Sequence, residues 1–181
     1  MVVYLNTKPI FSDTDVLSCF LMIKQTKLLQ LLYTQIIIPI YVYKEFEKAP
    51  NKELIKQINK LISEKFILVK DINTPEEYLN FINFKKGNIT GRRIGNGEAA
   101  AITLAVMNNG ILASNNTRDV IILVKKFNIE WIKTGDILYE AVNRNIINSN
   151  DAEKYWKEMI VVGRHLGKYK SFNEYVQDNY L

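Results

Sequence analysis

The chain has very few of the residues on which disulfide and zinc chemistry depends. Its 181 residues include one cysteine, Cys19, and one histidine, His165. A single cysteine excludes an internal disulfide, and the apolar neighbours of Cys19 predict that it packs inside a helix. His165 lies beside Arg164 and Lys168, so we expect it at the surface. No Cys/His spacing fits a zinc site, and nothing pairs His165 into a catalytic triad.

Long apolar runs are also missing. The longest, such as 36–40, is far too short to cross a bilayer. Residues 1–5 lack the charged flank and apolar core of a secretory signal peptide. Together with the single cysteine, these absences predict a soluble protein of the reducing cytoplasm with no membrane partner.

What is present indicates one ordinary globular domain. Hydrophobic residues make up 48% of the chain and charged residues 24%, with no repeat or low-complexity tract. We find no linker, so the prediction is one domain over 1–181, with a helical tail at 150–181 packed on it or used for contacts.

The net charge of +5 is unevenly placed, because no acid occurs between Tyr78 and Gly97. Within this interval the segment 87–91, Gly-Asn-Ile-Thr-Gly, begins and ends with glycine, which predicts a mobile loop. Its four cations are expected either to bind a nucleic-acid backbone or to form a merely solvated connection. These cations are Lys85, Lys86, Arg92 and Arg93.

Short apolar segments alternate with helical patterns along the chain. We predict strands at 10–12, 35–39, 66–69, 111–113 and 129–132. Helices are predicted at 16–23, 27–32, 41–48, 54–62, 74–84, 97–107, 120–127, 137–142 and 150–159. The alternation predicts an α/β fold of three layers, α/β/α, around a mostly parallel five-stranded sheet.

Oxygen-rich side chains follow two of these strands where each gives way to a helix. Asp13 and Asp15 follow the first strand, and 114–119, Ser-Asn-Asn-Thr-Arg-Asp, follows the fourth. In open α/β sheets, ligands bind outside the carboxyl ends of the strands. Because Mg²⁺ prefers oxygen ligands, the pattern indicates metal-assisted chemistry on phosphates.

Four segments, in this order, resemble the PIN domain family. They are Ser12 to Leu17, Pro39 to Glu45, Gly97 to Ile102, and Ile111 to Ser114 with the polar residues after it. The resemblance extends from about Pro9 to Arg164. It implies a five-stranded parallel sheet and a Mg²⁺- or Mn²⁺-dependent nuclease that hydrolyses phosphodiester bonds of single-stranded RNA. It also implies an antitoxin protein as partner, as in toxin–antitoxin pairs, and a homodimer.

The resemblance assigns roles to particular residues. Asp13 falls on the first metal-binding aspartate, Asp15 on the polar position beside it, Glu45 on the acid of the helix after the second strand, and Glu98 on the acid that opens the central helix. With Asp119 added, the catalytic set is Asp13, Glu45, Glu98 and Asp119, and the metal set is Asp13, Glu98 and Asp119. Asp15, Ser114, Asn115 and Asn116 are supporting polar residues.

Asn115 and Asn116 stand where many members of the family carry aspartates. An amide oxygen still binds a cation but brings no negative charge, so metal affinity and activity should fall. Asp119, one helical turn further, would restore the charge if its side chain points back toward Asp13. Both asparagines are equally suited to cap helices, the role we favour.

Three functions therefore stay open: the nuclease, a PIN-like module that binds nucleic acid or protein without catalysis, and a receiver-like phosphorylation switch. The switch would use polar residues that follow four predicted strands, namely Asp13, Asp71, Ser114 and Lys133. Acids at helix starts also have a purely structural role, because they offset the helix dipole.

Overall fold

The structure is a computed structural model that describes residues 8–181, so the signal-peptide prediction for 1–5 lies outside the described residues. Its sheet has five parallel strands in the order β3-β2-β1-β4-β5. The strands are β1 Ile10–Ser12, β2 Ile36–Pro39, β3 Ile67–Lys70, β4 Ile111–Ala113 and β5 Glu130–Ile132. All five match predicted strands to within one residue at each end.

Helices connect the strands and cover both faces of the sheet. They are α1 Thr14–Met22, α2 Thr26–Leu32, α3 Ile40–Lys48, α4 Lys52–Ser63, α5 Pro75–Lys86, α6 Asn96–Met107, α7 Thr117–Phe127, α8 Thr134–Asn143, α9 Ser149–Val161 and α10 Phe172–Tyr180. Among the helices of residues 8–181, none has the length and apolar character needed to cross a membrane.

Two hydrophobic clusters, one on each face of the sheet, join the sheet to the helices that cover it. The sheet and its two helical layers are the three layers predicted from the sequence. Successive side chains of a strand point to opposite faces. Ile10 of β1 accordingly packs with α1, α4, α8 and α9, whereas Phe11 packs with α5, α6 and α7. On the Phe11 side, Ala99, Ala100 and Ala101 are fully buried, so α6 lies close against the sheet.

The start of α5 shows how local sequence determines an element. The Thr74 side chain accepts from the Glu77 N–H, and the Glu77 carboxylate accepts from the Thr74 N–H, a complete capping box with Pro75 at the first helical position. The helix ends later than predicted, at Lys86, because Gly87 adopts the left-handed conformation (φ 75°) that closes a helix.

The tail beyond 150 contributes to the core, and its second helix, α10, lies in the predicted helical tail but outside the predicted helix 150–159. Trp156 of α9 and Phe172 and Tyr175 of α10 are almost fully buried, with ring centroids of Trp156 and Tyr175 5.4 Å apart. Cys19 is buried within α1 and His165 is exposed, as predicted.

The strand order excludes the receiver-like arrangement. A flavodoxin-like sheet has the order 2-1-3-4-5, whereas here β2 lies between β1 and β3. Asp71 follows the edge strand β3 and is therefore separated from Asp13, which follows β1, by a whole strand. The predicted grouping of these residues as a phosphorylation site is wrong.

Candidate active site

The polar residues that follow β1 and β4 meet at the carboxyl edge of the sheet because these strands are neighbours. The Asp13 N–H donates to the Ala113 carbonyl at 3.0 Å and continues the pairing of the two strands. A cavity of about 130 Å³, here named the acidic cavity, opens at this edge. Its lining residues are Asp13, Thr14, Asp15, Glu45, Gly95, Glu98 and Asn116. Acids dominate this lining and no cation belongs to it.

Asp13 is the most deeply placed of the acids, with 4% of its surface exposed. It is the N-cap of α1, and its Oδ1 accepts from the Val16 N–H at 3.1 Å. Burial raises the pKa of Asp13 to about 7, and the charge of Asp15 adds to this. Hydrogen bonds from Ser114 and Val16 oppose the rise. Keeping Asp13 ionised in the folded protein therefore costs free energy.

Glu98 lies in the first turn of α6 and is half-buried. Burial raises its pKa to about 8, with further contributions from the charges of Asp13, Asp119 and Asp15. Its Oε1 atom is buried and has no hydrogen-bond partner among the described residues. A buried carboxylate oxygen without a donor is costly, so this atom indicates a site for a proton or a cation.

Glu45 is held from two sides, although much of it is exposed. Its Oε1 accepts from the Gly97 N–H at 3.1 Å, and its Oε2 accepts from the Thr14 hydroxyl. A Cβ at position 97 would lie 2.7 Å from Oε1, so any other residue there would displace the Glu45 carboxylate. Sequence reasoning missed Thr14 and Gly97, although a glycine beside an acid at a helix start is a signal for such an approach.

Asn116 occupies the position facing these acids where an aspartate was expected. It caps α7, and its Nδ2 donates to Asp119 Oδ2 at 2.7 Å and to Glu98 Oε2 at 3.4 Å. Asp119 is therefore held by an amide, and it does not line the acidic cavity. Ser114 is fully buried and its Oγ accepts from the Asn116 N–H at 3.2 Å.

Asn115 points the other way. Its Oδ1 accepts from the Thr134 N–H at 3.0 Å, and its Nδ2 donates to the Thr134 hydroxyl at 3.0 Å. It therefore fixes the start of α8 and does not belong to the lining of the acidic cavity. The two asparagines thus have separate roles, and both support helix starts.

Asp13 and Glu98 fit one hard divalent cation. Mg²⁺ usually takes one or two protein carboxylates and keeps several waters. The cavity volume equals that of about four waters at ~30 Å³ each. Within residues 8–181, no three Asp, Glu, His or Cys side chains are spaced to share one metal ion. The predicted metal set of Asp13, Glu98 and Asp119 is therefore not brought together in this structure. The Asp119 carboxylate instead accepts a hydrogen bond from the Asn116 amide.

The predicted basic segment is divided between a helix and a loop. Lys85 and Lys86 form the last turn of α5, where they offset the helix dipole, rather than part of the loop. Lys85 Nζ lies 5.8 Å from the centroid of the Phe81 ring. Arg92 and Arg93 lie exposed in the loop that follows.

This loop returns to the acidic cavity. The Ile94 N–H donates to the Lys85 carbonyl at 3.3 Å, which joins the two ends of the loop. Gly87 makes the turn tight, since a Cβ there would lie 2.1 Å from the Arg92 carbonyl oxygen. Gly95, the residue after Ile94, lines the acidic cavity, so Arg93 and Arg92 lie two and three residues away from it along the chain.

Comparisons with known proteins agree with this geometry. The sequence matches the PIN domain family over residues 9–175. The structure is similar to VapBC-1 from nontypeable Haemophilus influenzae, at 16% identity over 69% of this chain and 97% of that chain, with a TM-score of 0.52. It is also similar to FitAB bound to an IR36 DNA fragment, at 15% identity over 69% and 94% of the two chains, with a TM-score of 0.50. These two structural similarities support the fold of this chain and nothing further. No curated protein matches the chain significantly.

The chain belongs to the PIN domain family, because the family match covers nearly its whole length. The members of this family are typically metal-dependent nucleases. The resemblance predicted from four sequence segments is confirmed, as is the three-layer α/β fold.

Proposed function

We propose that this protein is a metal-dependent ribonuclease of the PIN toxin type that hydrolyses phosphodiester bonds at the acidic cavity. One observation carries the proposal: Asp13 and Glu98, from distant parts of the sequence, line the same cavity with raised pKa values, and Glu98 Oε1 lacks a partner among the described residues. Such coupled carboxylates are typical of functional sites.

In this proposal, Asp13 and Glu98 would hold one Mg²⁺ or Mn²⁺. A divalent cation there would polarise the scissile phosphate and lower the pKa of water. Glu45, whose carboxylate is fixed by Gly97 and Thr14, accepts the proton that the attacking water loses.

The remaining predicted residues have supporting roles. Asp15 and Asp119 keep the field around the site negative, since both raise the pKa of Glu98. The four cations of the predicted basic segment are proposed to bind phosphates of the RNA strand. They are Lys85, Lys86, Arg92 and Arg93.

A second candidate is a PIN-like module that binds RNA or a protein without cleaving it. Asn116 favours this alternative, because its amide group occupies a position where a carboxylate would add negative charge and donates to both neighbouring acids. Family membership also supports, as proposals, an antitoxin partner, a homodimer and a cytoplasmic location.

The test is cleavage of labelled single-stranded RNA by the purified chain with Mg²⁺ or Mn²⁺. We expect cleavage that EDTA stops and that Asp13→Asn and Glu98→Gln each abolish. Asp71→Asn, at the exposed end of β3, is the matched control and should cleave normally. RNA that stays intact across several sequences while still being bound would favour the non-catalytic module.

A further inference from the structure

A second cavity lies next to the acidic one and has the opposite charge. It is here named the aromatic cavity, has a volume of about 320 Å³, and lies between the start of α8 and the tail. Its main lining residues are Thr117, Lys133, Trp156, Lys168, Tyr169 and Tyr175. It has no acid in its lining and is within the size range of small-ligand sites, roughly 300–1,000 Å³.

The positive charge of Lys133 is available to a ligand. Its Nζ lies 4.9 Å from the centroid of the Trp131 ring and 5.5 Å from that of Tyr175, so two aromatic faces hold the ammonium group. None of the ion pairs among residues 8–181 involves Lys133. Lys168, the other cation of this cavity, is already paired with Asp178 at 2.8 Å. An incoming anion could therefore pair with Lys133 without displacing a carboxylate.

The lining also offers an aromatic ring. Tyr169 is partly exposed, and its ring meets the buried ring of Tyr175 edge to face at 5.1 Å. Trp156 and Tyr175, at 1% and 2% exposed, form the buried wall of the cavity. Accessible aromatic rings such as that of Tyr169 are the usual stacking partners of single-stranded bases.

The two cavities share one stretch of backbone. Asn115 lines the aromatic cavity, whereas the next residue, Asn116, lines the acidic one. β4 and β5 are also neighbours, and the Ser114 N–H donates to the Ile132 carbonyl at 3.0 Å. The two cavities therefore lie on either side of the backbone at 115–116.

We propose that the aromatic cavity binds one nucleotide of single-stranded RNA next to the cleaved bond, with its phosphate on Lys133 and its base against the Tyr169 ring. This assignment rests on the proposed nuclease function and identifies where the substrate strand continues. It also gives the tail, which lies beyond the last strand, a part in substrate binding.

The two tryptophans of the chain report on this cavity directly, since Trp156 lines it and Trp131 lies beneath Lys133. We would titrate the full chain in EDTA with adenosine 5′-monophosphate and with hexauridylate while recording tryptophan fluorescence. The expected result is a saturable change. Lys133→Gln should weaken it roughly tenfold, as loss of one charge-assisted contact does. It should also reduce the salt slope of hexauridylate binding by about 0.7.

Two further variants separate charge from folding. Lys133→Arg keeps the cation and should keep most of the affinity. Lys154→Gln, which removes an exposed cation of α9 paired with Glu158, should bind as the wild type does. Equal binding by wild type and Lys133→Gln would overturn the proposal. So would an equal response to inorganic phosphate, which would reduce the cavity to an anion site.

The outcomes also distinguish this proposal from the nuclease function. Saturable nucleotide binding without RNA cleavage would refute the nuclease and support the subsite. Cleavage with an unchanged KM in Lys133→Gln would support the nuclease and refute the subsite. If neither nucleotide nor RNA alters the fluorescence, the proposal is wrong and a protein segment becomes the better occupant.

Discussion

Replacing Asp13 with asparagine should stabilise the metal-free protein at pH 8 while it removes catalysis. Burial raises the pKa of Asp13 from 3.8 to about 7. At about 1.4 kcal/mol per pKa unit, keeping this group ionised costs at most about 4 kcal/mol, and we expect a gain of about 2 to 4 kcal/mol. Asparagine keeps the oxygen that accepts from the Val16 N–H and is an equally good N-cap.

The gain should depend on pH. Because the folded-state pKa lies above the unfolded-state value, folded Asp13 holds its proton more tightly between pH 3.8 and about 7. Its contribution to stability is therefore greatest below pH 3.8 and is lost as the pH rises through about 7. Asparagine does not titrate, so the variant should exceed the wild type at pH 8 and match it near pH 4. Relief of Glu98 from a neighbouring charge adds to the gain.

Urea unfolding in EDTA, at pH 4 and pH 8, measures this difference. Asp71→Asn is the control, since Asp71 also follows a strand but is exposed, and its change should stay within about 0.5 kcal/mol at both pH values. Added Mg²⁺ should stabilise the wild type and not the Asp13 variant. A variant that is no more stable than the wild type at pH 8, or equally stabilised at both pH values, would refute the argument from burial.

Three further substitutions test neighbouring parts of the structure. Gly97→Ala should lower kcat for RNA cleavage roughly tenfold or more, because the new Cβ displaces the carboxylate that its N–H binds, whereas Gly95→Ala, which meets no atom within 4 Å, should keep it. By calorimetric titration, Asn116→Asp should bind Mn²⁺ roughly tenfold more tightly, and an equal gain from Asn115→Asp would contradict the assigned orientations. Phe172→Ala should cost about 3 to 5 kcal/mol in urea unfolding, and a loss below about 1 kcal/mol would show that the tail is not part of one domain.

The sheet could be predicted from the sequence because each strand is a short apolar run between helix signals. The Thr74-Pro75 start of α5 is set entirely by neighbouring residues, and it was predicted correctly. The bounds of α10 were not predicted although Ser171 and Glu174 form a capping pattern, with the Ser171 hydroxyl accepting from the Glu174 N–H. Phe172, Tyr175 and Val176 also have the i, i+3, i+4 spacing of one helix face, so the sequence contained both signals.

The site was less predictable than the fold, because neighbouring side chains in the bend after β4 point in different directions. Sequence order alone treats Asn115 and Asn116 alike, whereas only Asn116 faces Glu98. The contact between Glu45 and Gly97 spans 52 positions and depends on how α3 and α6 pack. Distances of this kind follow from tertiary structure and from no local pattern.

The position of β1 between β2 and β4 bears on how the protein is made. The first three strands adjoin one another in the sheet and are complete by Lys70, so a nascent chain can pair them early. Glu98 and Asn116 belong to later segments, and β4 pairs with β1 only after about a hundred further residues have been synthesised. A partly translated chain therefore contains Asp13 without its partner acid, and the site is completed late in folding.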